Sequence, residues 1–156
     1  MSDDIRIPLA DEAATLALGA RLGHALQPGL YIALHGDLGA GKTTLVRGLL
    51  RGLGHEGRVK SPTYNLVEPY AFIGFNLHHF DLYRFSDPQE WDASGFREDF
   101  NPGSVCLVEW PEKAEGLLPQ PDLSVALEFV GMGREARLRA GSERGLACLN
   151  ACCAAF

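Results

Sequence analysis

The sequence predicts one α/β domain in which helices flank a mixed central sheet. Short apolar runs of the length of buried strands alternate with segments of helical periodicity. A glycine-rich loop lies between one of these runs and the helix that follows it. The composition of the 156 residues, 46% hydrophobic and 22% charged, is typical of a globular chain that builds its own core. We therefore expect residues 1–156 to form a single domain.

The N-terminal part alternates strands and helices. Residues 5–9 predict a short strand, and Asp11 is suited to cap a helix whose apolar positions recur at helical spacing as far as about Leu26. The apolar run 30–35 predicts a strand that is buried on both faces. A second helix follows the glycine-rich loop and runs from Lys42 to about Leu53, where a glycine ends it.

The remainder of the chain is richer in strands. Strands are predicted at 64–70, 76–83, 104–110, 123–130 and 135–140. The first two pair as a hairpin across a short turn, and the last two flank Gly131-Met132-Gly133, which is typical of a closing hairpin. Residues 87–100 predict polar helical turns, and Ser142 is suited to cap a last helix. The sequence after Gly141 matches no known motif, so the role of this tail stays open.

Charge and cysteine content exclude several classes of protein. A net charge of −6 argues against a chain whose whole surface binds nucleic acid. The opening residues lack the basic end and apolar run of a signal peptide, and no stretch has the apolar length of a membrane span.

Four cysteines without zinc-site spacing predict reduced thiols in a cytoplasmic protein. They are Cys106, Cys148, Cys152 and Cys153, of which Cys106 lies in an apolar run and is expected to be buried.

Residues 36–43 (GDLGAGKT) fit the P-loop pattern G-x-x-x-x-G-K-[ST]. Such a loop turns backbone N–H groups toward a phosphate chain, and its glycines allow tight wrapping without Cβ clashes. Lys42 would reach the β- and γ-phosphates, and the Thr43 hydroxyl would bind Mg²⁺. The predicted nucleotide-binding residues here are Gly36, Asp37, Leu38, Gly39, Ala40, Gly41, Lys42, Thr43 and Thr44.

A P-loop does not by itself identify the nucleotide or the reaction. The guanine-reading motif N-K-x-D does not occur in the sequence, which favours ATP. A hydrolase also needs a further acid for the metal and a group that orients water. Asp81 lies on a predicted strand, and Glu109 ends an apolar strand at the sheet edge where ligands bind in α/β folds. Each acid could instead be an ordinary solvated or boundary residue.

Four motifs together resemble the TsaE family (formerly YjeE), the bacterial ATPase of tRNA threonylcarbamoyladenosine biosynthesis. These are GDLGAGKTT (36–44), KSPTY (60–64), HFDLYR (79–84) and LVEWPEK (107–113). The P-loop is shared by many families, whereas its combination with the other three is far more specific. The resemblance extends from about Ile7 to Arg139, which is nearly the whole chain.

The resemblance implies a compact P-loop NTPase-like fold, Mg²⁺-dependent ATP binding and weak ATPase activity. It also implies two partners, a TsaD-type threonylcarbamoyl-transferase and its TsaB-type paralogue. Together they modify the adenosine beside the anticodon, and ATP hydrolysis supports repeated turnover. The acidic net charge favours these partners as the platform for tRNA, so contact between this chain and tRNA is expected to be indirect.

The resemblance implies further site residues. Thr63 in SPTY would lie in a switch-like segment near the γ-phosphate, and Asp81 and Glu109 would lie at the metal and the attacking water. Which acid binds the metal directly is left open. Trp110 would pack near the nucleotide, against a partner or in the core. Further candidates for nucleotide contact, the first two at the adenine, are Asp11, Glu12 and Arg134.

The sequence leaves two other functions open. A small-molecule kinase has a similar size but needs a substrate pocket and usually a lid with clustered arginines. The arginines at 134, 137 and 139 instead alternate as on a strand face. A nucleotide-gated binding module with negligible hydrolysis is the third possibility, and it overlaps the first because slow ATPases act as switches.

Overall fold

The computed structural model describes residues 4–60, Pro62 and 65–154. The strands are β1 (Asp4–Leu9), β2 (Tyr31–His35), β3 (Val67–Phe72), β4 (Phe75–Asp81), β5 (Ser104–Glu109), β6 (Leu123–Val130) and β7 (Gly133–Ala140). The helices are α1 (Glu12–Ala25), α2 (Lys42–Gly52), α3 (Gln89–Ser94) and α4 (Glu143–Cys153), with short 3-10 turns at Phe96–Asp99 and Pro111–Ala114.

The seven strands form one sheet in the order β1-β7-β6-β2-β5-β4-β3. β2 pairs in parallel with β5 and β6, and β4 pairs in parallel with β5, whereas the other pairs are antiparallel. The expected α/β fold with a mixed central sheet and flanking helices is therefore confirmed. Because β2, β4, β5 and β6 run in the same direction, their carboxyl ends meet at one edge of the sheet.

The two faces of the sheet carry different cores. One face packs aliphatic side chains against α1, α2 and α4. The other carries an aromatic cluster in which Phe80, Trp91 and Phe100 lie with ring centroids 5.5–5.8 Å apart. Trp91 and Phe80 are fully buried there. Helices α1, α2 and α4 lie on the aliphatic face. The glycine-rich loop leads into α2, so it reaches this face of the sheet.

Glycines on both helices hold α1 and α2 in close contact, and Gly19 and Gly48 make the closest approaches. A Cβ atom at Gly19 would lie 2.2 Å from the Leu45 carbonyl oxygen, and one at Gly48 would lie 2.3 Å from the Leu16 carbonyl oxygen. Real Cβ atoms do not approach backbone so closely, so any larger residue at either position would push the helices apart. The pair therefore helps to define the position of α2 against the sheet.

Several local predictions hold. The Asp11 side chain accepts a hydrogen bond from the Ala14 N–H at 2.9 Å, and Ser142 accepts one from the Gly145 N–H at 3.0 Å, so both predicted helix caps are confirmed. Both predicted hairpins form as well. Cys106 is buried as expected.

Other boundaries differ from the sequence prediction. β3 begins at Val67, because Leu66 has a φ of +66° that is incompatible with an extended strand. Residue 64, where the predicted strand began, lies outside the described residues. The helical stretch expected over 87–100 is divided into two short pieces at Gly95, whose φ is +77°. The tail of uncertain role contains α4, which packs against α1 and β7 and buries Cys148.

Among the helices formed by residues 4–60, 62 and 65–154, none has both the length and the apolar character needed to cross a membrane.

Candidate functional site at the carboxyl edge of the sheet

The glycine-rich loop connects β2 to α2 at the carboxyl edge of the sheet. Three of its glycines, Gly36, Gly39 and Gly41, have positive φ angles of 145°, 81° and 108°. Residues with a Cβ rarely adopt these angles, so the glycines allow the loop to wrap closely. Gly41 opens α2 without a side-chain cap, which leaves the first backbone N–H groups of this helix available to a ligand.

Lys42 begins α2 and lies under the loop. Its side chain is 5% exposed, Nζ donates a hydrogen bond to the Gly36 carbonyl oxygen at 2.5 Å, and Nζ lies 3.8 Å from the centroid of the Trp110 ring. Burial lowers the pKa of Lys42, whereas the carboxylates of Glu109 and Asp81 oppose that shift. The ammonium group is thus held between the loop and the two acids.

Asp81 and Glu109 lie opposite each other at the last positions of the neighbouring parallel strands β4 and β5. Glu109 is 4% exposed, and Asp81 is half-buried. Burial raises the pKa of Asp81, a hydrogen bond from the Tyr83 N–H to Oδ1 at 3.0 Å opposes that shift, and the Glu109 charge raises the pKa further. A cation beside the pair would relieve this repulsion, as would be expected of a metal-binding carboxylate pair.

His79 is a functional candidate that the sequence analysis did not single out. It is fully buried on β4, and its Nε2 lies 2.6 Å from Oε2 of Glu109. The spacing between His79 and Asp81 was an available signal, because residues two apart on a strand project from the same face. Without the pairing of β4 and β5, however, that spacing could not reveal the contact with Glu109.

The acids, Lys42 and the loop share one cavity of about 380 Å³. Trp110 lies in this cavity with a left-handed φ of +58°, and its ring packs 4.9 Å from that of Tyr83. Of the three places that the sequence left open for Trp110, the structure combines two, because Trp110 lines this cavity and also packs against the aromatic core cluster. The lining comprises Leu38, Gly39, Gly41, Lys42, Thr43, Thr44, Asp81, Tyr83, Arg84, Glu109 and Trp110.

A second cavity of about 390 Å³ lies on the other side of the loop. Gly39, Gly41 and Thr44 line both cavities, so both adjoin the same loop and the start of α2. The Arg134 guanidinium lies 4.2 Å from the centroid of the Phe129 ring, and Nη2 donates to the Gly39 carbonyl oxygen at 3.3 Å. The second lining includes the other predicted contacts, namely Asp11, Glu12, Ala40 and Arg134.

The structure thus brings most of the predicted site residues together around the loop. Thr63, assigned to a switch-like segment by the resemblance, lies outside the described residues. Within the described ranges, no group of three or more His, Cys, Asp or Glu side chains is arranged to hold a metal ion by itself. The two acids are instead suited to a metal that takes further ligands from Thr43, from a phosphate chain and from water.

The fold and the site define a single-domain α/β protein in which a glycine-rich loop, a buried lysine and two acidic strand ends share one edge of the sheet. Residues 9–137 match the family described as Threonylcarbamoyl adenosine biosynthesis protein TsaE. The chain belongs to this family, as the motif resemblance indicated, and this membership gives it a role in tRNA threonylcarbamoyladenosine biosynthesis.

Curated relatives and a solved structure agree with this assignment. The chain is 44% identical over 142 residues to the tRNA threonylcarbamoyladenosine biosynthesis protein TsaE of Haemophilus influenzae, and the match covers 88% of this chain and 90% of the relative. It is 41% identical over 105 residues to the TsaE protein of Bacillus subtilis, covering 67% and 65%. The crystal structure of Bacillus subtilis YdiB has a TM-score of 0.80 at 30% identity and covers 95% of this chain and 93% of YdiB.

Proposed function

We propose that the chain is a Mg²⁺-dependent ATPase that binds ATP at the glycine-rich loop, hydrolyses it slowly and supports the modification of tRNA adenosine to threonylcarbamoyladenosine. The observation that carries this proposal is the cavity shared by the loop, Lys42, Asp81 and Glu109. It combines phosphate donors, a cation and two carboxylates, which is the set that phosphoryl transfer to water requires.

Each group has a distinct part in this reaction. The loop N–H groups and the start of α2 bind the phosphate oxygens, and the Lys42 ammonium neutralises charge on the β- and γ-phosphates. The Thr43 hydroxyl and Asp81 would hold Mg²⁺, which supplies electrostatic stabilisation of the phosphates when bound. Glu109 lies deeper, at the end of a fully buried strand, and orients the attacking water.

The second cavity supports binding of the nucleoside. It adjoins the loop on the side away from the acids, and Asp11, Glu12 and Arg134 line it. Together with the absence of N-K-x-D from the sequence, this favours adenine over guanine. Competition of ATP and GTP against a fluorescent ATP analogue tests the preference, and equal displacement by GTP would contradict it.

The partners in this proposal are the TsaD-type transferase and the TsaB-type paralogue, with tRNA held mainly by them. The acidic net charge of −6 supports an indirect role at the tRNA. The kinase alternative is less well supported, because two of the arginines considered for a lid already have partners within the fold. Arg137 forms a salt bridge with Asp4 at 3.0 Å, and Arg134 is bonded to the loop.

The experiment compares phosphate release from labelled ATP by wild type, Lys42→Ala and Arg51→Ala, each with and without the TsaD–TsaB pair. Lys42→Ala should lower release about a hundredfold, because a positioned charge at the phosphates is lost. Arg51→Ala removes an exposed cation at the far end of the same helix and should behave as wild type. Wild-type turnover by Lys42→Ala would overturn the proposal, and a labelled small molecule in place of free phosphate would indicate a kinase.

A further inference from the structure

His79 and Glu109 form a buried pair across two adjacent strands. Their side chains are 0% and 5% exposed, and Nε2 of His79 lies 2.6 Å from Oε2 of Glu109. Glu109 also lines the cavity with Lys42 and Asp81, whereas His79 does not. His79 therefore contacts the acid without lining the space where a ligand would bind.

The second ring nitrogen of His79 identifies the donor in this hydrogen bond. Nδ1 is buried, and it has no hydrogen-bond partner among the described residues. A buried N–H without an acceptor is costly, whereas an unpaired lone pair on Nδ1 is tolerated more easily. The proton is therefore on Nε2, which donates to Oε2 of Glu109. In the opposite arrangement, a protonated Glu109 would donate to Nε2 and leave an orphaned N–H on Nδ1.

We propose that His79 is a positioning residue for the hydrolysis assigned to this site, and the proposal rests on that assignment. By donating Nε2–H to Oε2, it holds the Glu109 carboxylate in one orientation and leaves Oε1 for the cavity. A hydrogen bond to a charged acceptor is stronger than one between neutral groups. The bond from His79 therefore restricts the rotation of the Glu109 carboxylate effectively. Groups that orient metal-ligating side chains typically contribute about 10- to 100-fold to activity, and we expect an effect of the same order here.

The neighbouring histidine on the same strand provides a contrast. His78 projects from the opposite face of β4, where its ring packs 6.3 Å from that of Phe80 and its Nδ1 is 4.0 Å from Oδ2 of Asp99. It belongs to the aromatic side of the sheet and lies away from the acids. The two adjacent histidines therefore offer a matched pair, one that contacts the site and one that does not.

Two variants of His79 separate a positioning role from a merely structural one. The side-chain amide nitrogen of His79→Gln lies the same number of bonds from Cβ as Nε2, whereas that of His79→Asn corresponds to Nδ1 and falls short of Glu109. His79→Gln should retain most of the turnover. His79→Asn should lower kcat at least tenfold, with the dissociation constant for Mg·ATP within about twofold of wild type. His78→Asn should match wild type in both quantities.

Rescue by Gln but not by Asn, at similar thermal stability, supports the proposal. If His79→Asn and wild type turn over equally, the positioning role of His79 is overturned. The ATPase assignment still stands in that case, because wild type releases phosphate. Failure of wild type to hydrolyse ATP, alone or with the TsaD–TsaB pair, would instead overturn the assignment itself.

A measurement on the unmodified protein tests the hydrogen bond without relying on activity or on the folding of a variant. Long-range proton–nitrogen NMR of the His79 imidazole should find the proton on Nε2 and none on Nδ1. Glu109→Gln should then shift the Nε2–H resonance, whereas Asp99→Asn, on the His78 side, should not. A proton on Nδ1, or an Nε2 resonance that ignores Glu109→Gln, would overturn the proposal.

Discussion

The carboxyl ends of β4 and β5 are alike in sequence pattern but differ in environment. Each strand ends on an acid, the two strands run in parallel, and Asp81 and Glu109 lie directly opposite each other. β5 is buried along its whole length, and Glu109 receives a hydrogen bond from His79 within the sheet. Asp81 is half-buried and receives its hydrogen bond from the backbone of the following turn.

This difference is the physical basis on which we propose separate roles for the two neighbouring acids. β5 lies between β2 and β4 near the middle of the sheet, so its last residue is shielded from solvent and held by side chains. β4 lies next to the edge strand β3, and a turn closed by the Phe85 N–H and the Leu82 carbonyl oxygen follows it. A shielded, oriented carboxylate suits the chemical step, whereas a partly solvated one with a raised pKa suits a metal ion that retains some of its water.

The largest expected effect is the loss of turnover when the acid at the end of β5 is replaced. Glu109→Gln keeps the shape of the side chain and removes its charge, so phosphate release should fall about a hundredfold while ATP still binds. Phosphate release and calorimetric ATP binding measure the two quantities. Glu115→Gln, at an exposed acid beyond the strand, is the control and should be unaffected. If Glu109→Gln hydrolyses ATP normally, this acid has no part in the reaction.

The next effect concerns the end of β4. Asp81→Asn should raise the Mg²⁺ concentration needed for half-maximal ATP binding about tenfold, because a metal-binding charge is lost. Magnesium titrations at fixed ATP measure this shift, and Asp87→Asn at an exposed position is the matched control. Loss of ATP binding in Glu109→Gln with normal binding in Asp81→Asn would mean that the two roles are reversed.

A smaller effect is expected on stability at the end of β5. In Glu109→Gln the hydrogen bond from His79 goes to a neutral amide oxygen in place of a carboxylate. Since hydrogen bonds to charged groups are stronger, the free energy of unfolding should fall by about 1 kcal/mol. Urea denaturation monitored by circular dichroism measures this change. An unchanged midpoint with an unchanged slope would show that the buried pair contributes nothing to stability.

The smallest effect is on stability at the end of β4, and its sign is opposite. Folding raises the pKa of Asp81 above its ordinary value of 3.8, so the ionised carboxylate destabilises the fold at neutral pH. Asp81→Asn keeps an acceptor for the Tyr83 N–H and should raise the melting temperature by about 2 °C at pH 7, after allowance for solvent screening.

The pH dependence checks this sign. The gain in Asp81→Asn should shrink as the pH is lowered from the raised folded pKa to the unfolded value, because below both values Asp81 is neutral in either state. A gain that grows on acidification would contradict the assigned direction of the shift. Thermal unfolding followed between pH 7 and the acid range provides the measurement.

Local signals accounted for much of the fold. Asp11 and Ser142 cap their helices through hydrogen bonds to residues three positions away, and such contacts depend on neighbouring residues alone. The wrapping of the glycine-rich loop likewise follows from the glycines at its positive-φ positions. The start of β3 was predicted wrongly, because the left-handed backbone at Leu66 has no sequence signal of the kind that glycine provides.

By itself the sequence determined the family, the glycine-rich loop with Lys42, and the presence of an acid at the ends of two strands. The tertiary structure alone decided that these strands are parallel neighbours in register and that His79 bonds to Glu109, 30 residues further along the chain. It likewise decided that Trp110 lies over Lys42. Parallel strands pair through hydrogen bonds between segments that are distant in sequence, so neither partner carries a local mark of the other.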